Sequence, residues 1–153
     1  MPELQNPLGM DFIIFELTSN VVSCEEAATA KNIPLLNELK SLILTTSAGP
    51  HILNLPGDKR ADLHAIKRRL AIKEAHLASG EMLRSLNVRP GTVCPFLKNL
   101  WSLPQLISQE LLHLSYVSTN SGELNKYIIF DPMLLSFNEN AIVGNFTKLE
   151  GSS

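Results

Sequence analysis

A chain of 153 residues that is 44% apolar can bury a core without disulfides or a structural metal. Its formal net charge of −2 excludes a protein that coats nucleic acid through bulk charge, so any RNA contact must come from a local patch. No apolar run approaches the roughly 20 residues that span a bilayer, and Cys24 and Cys94 stand far apart with no secretory apolar stretch before them, which predicts reduced thiols in a cytoplasmic protein.

Pro2, Pro7 and Gly9 predict a loose arm over residues 1–10, followed by one domain over 11–148 and a disordered tail over 149–153. Ser23, with Glu26 in the capping-box position, predicts a helix that runs to about Lys31 and is stopped by Asn32 and Pro34. The Ile- and Leu-rich runs 39–45 and 51–55, split by Ser47-Ala48-Gly49-Pro50, read as a β-hairpin with Lys40 at the entrance of its first strand. Asp62 caps a helix through Leu70 whose Leu63, Ile66 and Leu70 share one face, while its other face is basic. A short segment over 75–78 leads to Ser79, the cap of another helix over 81–86. Runs 111–118 and 125–130, joined by Thr119-Asn120-Ser121-Gly122, predict a second hairpin. Asp131-Pro132 opens a short helix and 141–146 gives a final strand. The sum is an α+β, or mixed α/β, domain with a mixed or mainly antiparallel sheet.

Arg89-Pro90-Gly91-Thr92-Val93-Cys94-Pro95-Phe96 carries the most chemical information. Gly91 permits backbone angles that other residues avoid, and Pro90 and Pro95 stiffen the chain on either side, so the loop can hold several N–H groups in one fixed, outward direction. Such a row of amides binds an anion or a polarised carbonyl. On composition alone the same stretch is also an ordinary proline-containing surface turn.

The order of features resembles that of the YbaK and prolyl-tRNA-synthetase-associated editing domain family. The resemblance rests on the alanine-bearing helix at Ser23-Cys24-Glu25-Glu26-Ala27-Ala28, Lys40 at the start of a strand and the Leu55-Pro56-Gly57-Asp58 turn. It continues in the helix start Ala78-Ser79-Gly80-Glu81 and the Gly-x-x-x-Pro loop from Gly91 to Pro95. It extends over about residues 12–146, with each motif short and the shared order specific. It implies a central mixed, partly barrel-like sheet flanked by short helices. It also implies hydrolysis of the ester between a wrong amino acid and the 3′ end of a tRNA, here tRNA for proline carrying alanine or cysteine. The partners implied are the aminoacylated tRNA end and an aminoacyl-tRNA synthetase, with no cofactor.

Under that resemblance Lys40 matches the family's functional lysine, and Gly91, Thr92, Val93, Cys94 and Pro95 form the loop that positions the aminoacyl carbonyl. Cys94 has no histidine near it in sequence to activate a thiolate, so a small side chain lining the pocket is expected rather than a nucleophile. Lys59, Arg60, Lys67 and Arg68, with Gly122 of the second turn, are candidate substrate or RNA contacts, although the basic cluster reads first as a solvated helix face opposite Leu63, Ile66 and Leu70. His51, His64, His76 and His113 make no metal signature with the cysteines, and no metal is expected. Phe96, Trp101 and Tyr116 are expected in the core rather than stacked on a base. Two departures stand out: Leu97 where the family often has glycine, and Ser108 where many members have an aspartate. Glu110 or a residue elsewhere then supplies the carboxylate, or specificity differs, or the domain is a catalytically silent module that binds a tRNA end or a synthetase.

Overall fold

The first third of the chain folds as its punctuation directs. In the computed structural model, which describes residues 3–149, a short strand β1 (Phe15–Glu16) precedes helix α1 (Cys24–Lys31). The Ser23 hydroxyl accepts from the Glu26 amide, the Glu26 carboxylate accepts from the Ser23 amide, and Asn32 ends the helix in the left-handed region at φ 56°. A 3₁₀ turn over Leu35–Asn37 delivers the chain into β2 (Leu39–Thr46) and β3 (Gly49–Pro56), an antiparallel pair with Lys40 opposite Leu55. Strand β4 (Lys59–Ala61) leads to helix α2 (Leu63–Leu70), which Asp62 caps through the Ala65 amide. Then come β5 (Ala75–Leu77) and α3 (Gly80–Ser85), capped by Ser79.

Past the Gly91 loop, a single-turn helix α4 (Lys98–Trp101) is followed by β6 (Gln105–Ser108) and a 3₁₀ turn over Gln109–His113. Strands β7 (Val117–Asn120) and β8 (Lys126–Phe130) form the second hairpin. A 3₁₀ helix over Pro132–Phe137, with Asp131 accepting from the Met133 amide, precedes β9 (Ala141–Gly144) and β10 (Thr147–Leu149).

The main sheet is mixed, in the order β5-β2-β3-β6-β9, with β5, β2 and β3 antiparallel and β3, β6 and β9 parallel. A smaller sheet, β1-β8-β7, joins it through a bridge between Glu38, just before β2, and Ser118, and β10 pairs with β4. Alternation along β2 and β3 divides the core, as a period of two requires. Leu39, Ile43 and Ile52 face a cluster with Cys94, Phe96 and Phe130, whereas Leu44, Leu53 and Leu55 face Ile66 and Phe146. A buried polar chain fixes the central register: Ser41 Oγ donates to Asn54 Oδ1 at 2.8 Å, Asn54 Nδ2 to Gln105 Oε1 at 2.9 Å, and Gln105 Nε2 to the Leu100 carbonyl at 3.1 Å.

Several expectations change. Residues 111–113, read as the start of a strand, lie in the 3₁₀ turn, because β6 ends just before them and the chain must reverse to reach β7. The strand over 141–146 stops at Gly144 and is not the last, since Thr147–Leu149 pairs with β4. The N-terminal stretch is not loose throughout. Leu4 bridges Leu97, the Gln5 amide donates to the Phe96 carbonyl and the Lys98 amide to the Glu3 carbonyl. Of the expected tail, Leu149 belongs to β10, and residues 150–153 lie outside those described. Phe96 is buried, stacked against Trp101 and edge-on to Phe130, which is the core role expected of it.

Candidate active site

The Gly91 loop begins with a turn whose chemistry is legible residue by residue. Pro90 and Gly91 occupy its centre, Gly91 has φ 82°, and the Thr92 amide closes the turn on the Arg89 carbonyl at 3.1 Å. This is the type II arrangement, which places proline second and requires positive φ at the third position. A Cβ at Gly91 would stand 3.1 Å from a Leu124 methyl and 3.2 Å from one of Val22, so the positive φ favours glycine and an added methyl would press on both side chains. Downstream, the Leu97 amide bonds the Cys94 carbonyl, making a second turn with Pro95 inside it. Asn120 ties the loop to the β7–β8 hairpin, donating from Nδ2 to the Val93 carbonyl at 3.0 Å while its Oδ1 accepts from the Gly122 amide.

The expected outward row of amides is therefore shorter than the sequence suggested. Thr92 and Leu97 spend their amides on the two turns, and the prolines have none. The amides of Gly91 and Val93 make no hydrogen bond among the described residues, and both residues line a cavity of about 260 Å³. Lys40 lines the same cavity, together with the first turn of α1 and Lys31, Glu38, Lys126 and Tyr127. Thr92 faces a separate cleft beside Arg89 and Gly122, and Pro95 lines neither space.

Cys94 corrects an expectation. It does not line the pocket but lies fully buried in the apolar cluster, where burial pushes its thiol up to about 12. Cys24, the first residue of α1, does line the cavity, with its thiol raised to about 11 by burial and then by the Glu38 charge. Both therefore stay protonated near neutrality, and neither is an activated nucleophile.

The Lys40 ammonium donates to the Lys59 carbonyl at 2.7 Å, which ties β2 to the start of β4. Lys59 and Arg60 lie on β4, and Lys67 and Arg68 on α2, where Arg68 is exposed and Lys67 half-buried. None of these four lines the cavity. Ser108 lies at the same end of the sheet as Lys40, because Asn54 of β3 pairs with Ile107 while Leu55 pairs with Lys40. There Ser108 Oγ donates to Glu110 Oε1 at 2.8 Å, and Thr147 Oγ1 donates to the same oxygen. Glu110 is not among the residues lining the cavity.

The residues that sequence reasoning missed are Lys31 and Glu38. Lys31 Nζ donates to both oxygens of Glu38, at 2.9 and 3.0 Å, and to Ser118 Oγ at 2.9 Å. It also sits 4.6 Å from the centre of the Tyr127 ring, itself stacked on Phe15. The two charged side chains are only 3% and 6% exposed. Burial raises the Glu38 carboxyl to about 6, with Lys31 pulling it the other way, and burial lowers the Lys31 ammonium against the opposing pull of Glu38. Nothing in the linear pattern marks this pair, since Lys31 reads as an ordinary last-turn cation and Glu38 as a loop acid.

The model of the aminoacyl-tRNA editing domain matches residues 18–137, most of the chain and all of the cavity wall except Leu17. The chain belongs to the aminoacyl-tRNA editing domain family. The solved structures agree on the fold of this editing domain. The hypothetical protein APE2540 is similar at 23% identity with a TM-score of 0.81, over 92% of this chain and 93% of its own. A candidate trans-editing enzyme for prolyl-tRNA synthetase is similar at 23% identity and TM-score 0.79, over 90% and 87% of the two chains. A signal transduction protein candidate from Marinobacter aquaeolei VT8 is similar at 15% identity and TM-score 0.67, over 92% of this chain but 29% of its own. No curated protein sequence matches this chain. Among the described residues no helix is long and apolar enough to cross a membrane, and no His, Cys, Asp and Glu side chains group as a metal site.

Proposed function

We propose that the protein is a trans-editing deacylase that hydrolyses the ester of a mischarged tRNA, with tRNA for proline carrying alanine or cysteine as the substrate to test first. The observation that carries this reading is the meeting of Lys40, Gly91 and Val93 in one small cavity, although they come from distant parts of the chain. The reaction asks little of a protein nucleophile. Water adds to the ester carbonyl carbon, negative charge gathers on the carbonyl oxygen, and collapse breaks the bond to the ribose oxygen, which leaves with a proton as the hydroxyl. The unbonded amides of Gly91 and Val93 are the donors available to that oxygen, and a donor preset for an oxyanion contributes roughly 3 kcal/mol. Lys40, at the cavity rim, supplies a compact positive charge for a phosphate or ribose oxygen. The basic face of α2, with Lys59 and Arg60, lies outside the cavity, where it would meet the tRNA backbone.

A second reading has its own support. The Lys40 ammonium is held by the Lys59 carbonyl, and Ser108 stands where the family resemblance implies an acid, as in a silent module that binds a tRNA end or a synthetase. Deacylation of a panel of mischarged tRNAs separates the two. Turnover that Lys40→Ala reduces by about a hundredfold, the order expected for loss of a single charged transition-state contact, supports the enzyme. Binding of the whole panel without turnover supports the module.

A further inference from the structure

Resting on the editing reading, we infer that Glu38, clasped by Lys31 in the cavity wall, receives the α-ammonium group of the aminoacyl ester. The acid missing at position 108 is then replaced from a different element rather than by its neighbour Glu110. Two carboxylates line the cavity, Glu25 and Glu38; Glu25 is exposed on α1, and Glu38 is buried.

The hydrogen-bond arithmetic decides which member of the pair can meet a ligand. An ammonium has three protons, and those of Lys31 are directed at the two Glu38 oxygens and at Ser118 Oγ, with the Tyr127 ring on another side. Lys31 has no donor left for a substrate. A carboxylate accepts about four hydrogen bonds, and Lys31 occupies one site on each Glu38 oxygen. The spare acceptor capacity of the pair belongs entirely to Glu38. Its backbone is immobilised by the bridge to Ser118 and by the Glu38 amide bonding the Leu35 carbonyl at 3.0 Å, so the carboxylate is preset rather than recruited.

The ligand's chemistry fits that vacancy in acceptor capacity. An aminoacyl ester differs from a bare tRNA end by a small side chain, a carbonyl and one amine, and an α-amino group carries a proton up to about pH 8. Val21, Val22, Leu39 and Leu124 form an apolar patch suited to a small side chain, in a wall that also carries the cations Lys40 and Lys126 and the polar Ser41 and Asn120. A carboxylate bridging two ammonium groups, one from Lys31 and one from the substrate, then tells a charged ester from an uncharged one. Glu110 cannot do this, since it lies outside the cavity and is bonded by the Ser108 and Thr147 hydroxyls.

The test uses the full chain and two stable probes, 3′-alanylamino-3′-deoxyadenosine and its lactyl counterpart, which has a hydroxyl in place of the amine. Calorimetry should show the amine-bearing probe binding the wild-type protein about tenfold or more tightly, and Glu38→Gln should bring the two probes together. Equal affinities in the wild type, no binding of either probe, or a preference that survives Glu38→Gln each overturn the assignment. The wild-type comparison needs no variant to fold, and Glu110→Gln, which should keep the preference, serves as the control. The assignment and the enzyme reading fail separately. Amine-dependent binding without turnover of mischarged tRNA refutes only the deacylase, and turnover that ignores the amine refutes only Glu38.

Discussion

Between the end of β6 and the start of β10, Glu110 accepts from two neutral hydroxyls, those of Ser108 and Thr147, and fastens the two segments together. At the mouth of β2, Glu38 is held by an ammonium and lies almost wholly out of water in the wall of a cavity. The two settings teach that a carboxylate's use is set by its partner and its solvent, not by its place in a motif. Hydroxyls give Glu110 geometry at small electrostatic cost. Burying a charged pair instead costs several kcal/mol per ion, only part of which the partner returns, and here Glu38 rises to about 6 even beside Lys31.

Breaking the pair should therefore give the largest effect on stability. Lys31→Met strands a buried carboxylate and should cost about 3–5 kcal/mol near pH 7, measured by chemical denaturation. The sign with pH follows from the direction of the shift. Glu38 sits above its usual 4.5, so in the wild type its contribution is fully present below about 4.5 and is lost as pH rises through about 6. Removing Lys31 takes away the group that pulls it down, so the upper end of that window moves upward while its lower end stays. The deficit of Lys31→Met relative to wild type should shrink as the solution is acidified, and a deficit independent of pH would show that lost packing, not the stranded charge, is the cause.

This pair also marks the limit of what the sequence discloses. The Ser23 cap, the Asn32 stop, the first hairpin and the Asp62 and Ser79 caps were readable because each is a local contest that neighbouring residues decide. The meeting of Lys40 with the Gly91 loop was legible only through an order of motifs shared with a family. Lys31, Glu38, Ser118 and Tyr127 come from α1, the entrance to β2, β7 and β8, and no spacing rule joins them. The same holds for β4 and β10, three residues each, whose pairing follows from the fold and not from their own alternation. Cys94 escapes sequence reasoning because a proline-flanked loop reads as exposed, whereas this one turns its cysteine and Phe96 inward.

A smaller effect is expected where the cavity touches the Gly91 turn. Gly91→Ala should destabilise the protein by about 1–2 kcal/mol through its left-handed backbone, and its added methyl meets Val22 and Leu124 in the cavity wall. Binding of the alanyl probe should weaken more than the melting temperature alone predicts. Unchanged probe affinity would mean that this wall does not touch the ligand. The smallest effect belongs to Glu110→Gln. An amide oxygen still accepts from Ser108 and Thr147, so the loss should stay below about 1 kcal/mol, and a larger one by denaturant titration would erase the contrast between the two acids.

Gly57 extends the cavity's influence beyond its own walls. At the tip of the β3–β4 connection, a Cβ would fall 2.6 Å from the Leu35 carbonyl oxygen and 2.8 Å from that of Glu38. The bare α-carbon lets this turn slide beneath the strand that presents the acid. Any side chain there would act as a shim against the main chain of Leu35 and Glu38, so the seat of the buried acid depends on a residue that does not itself line the cavity.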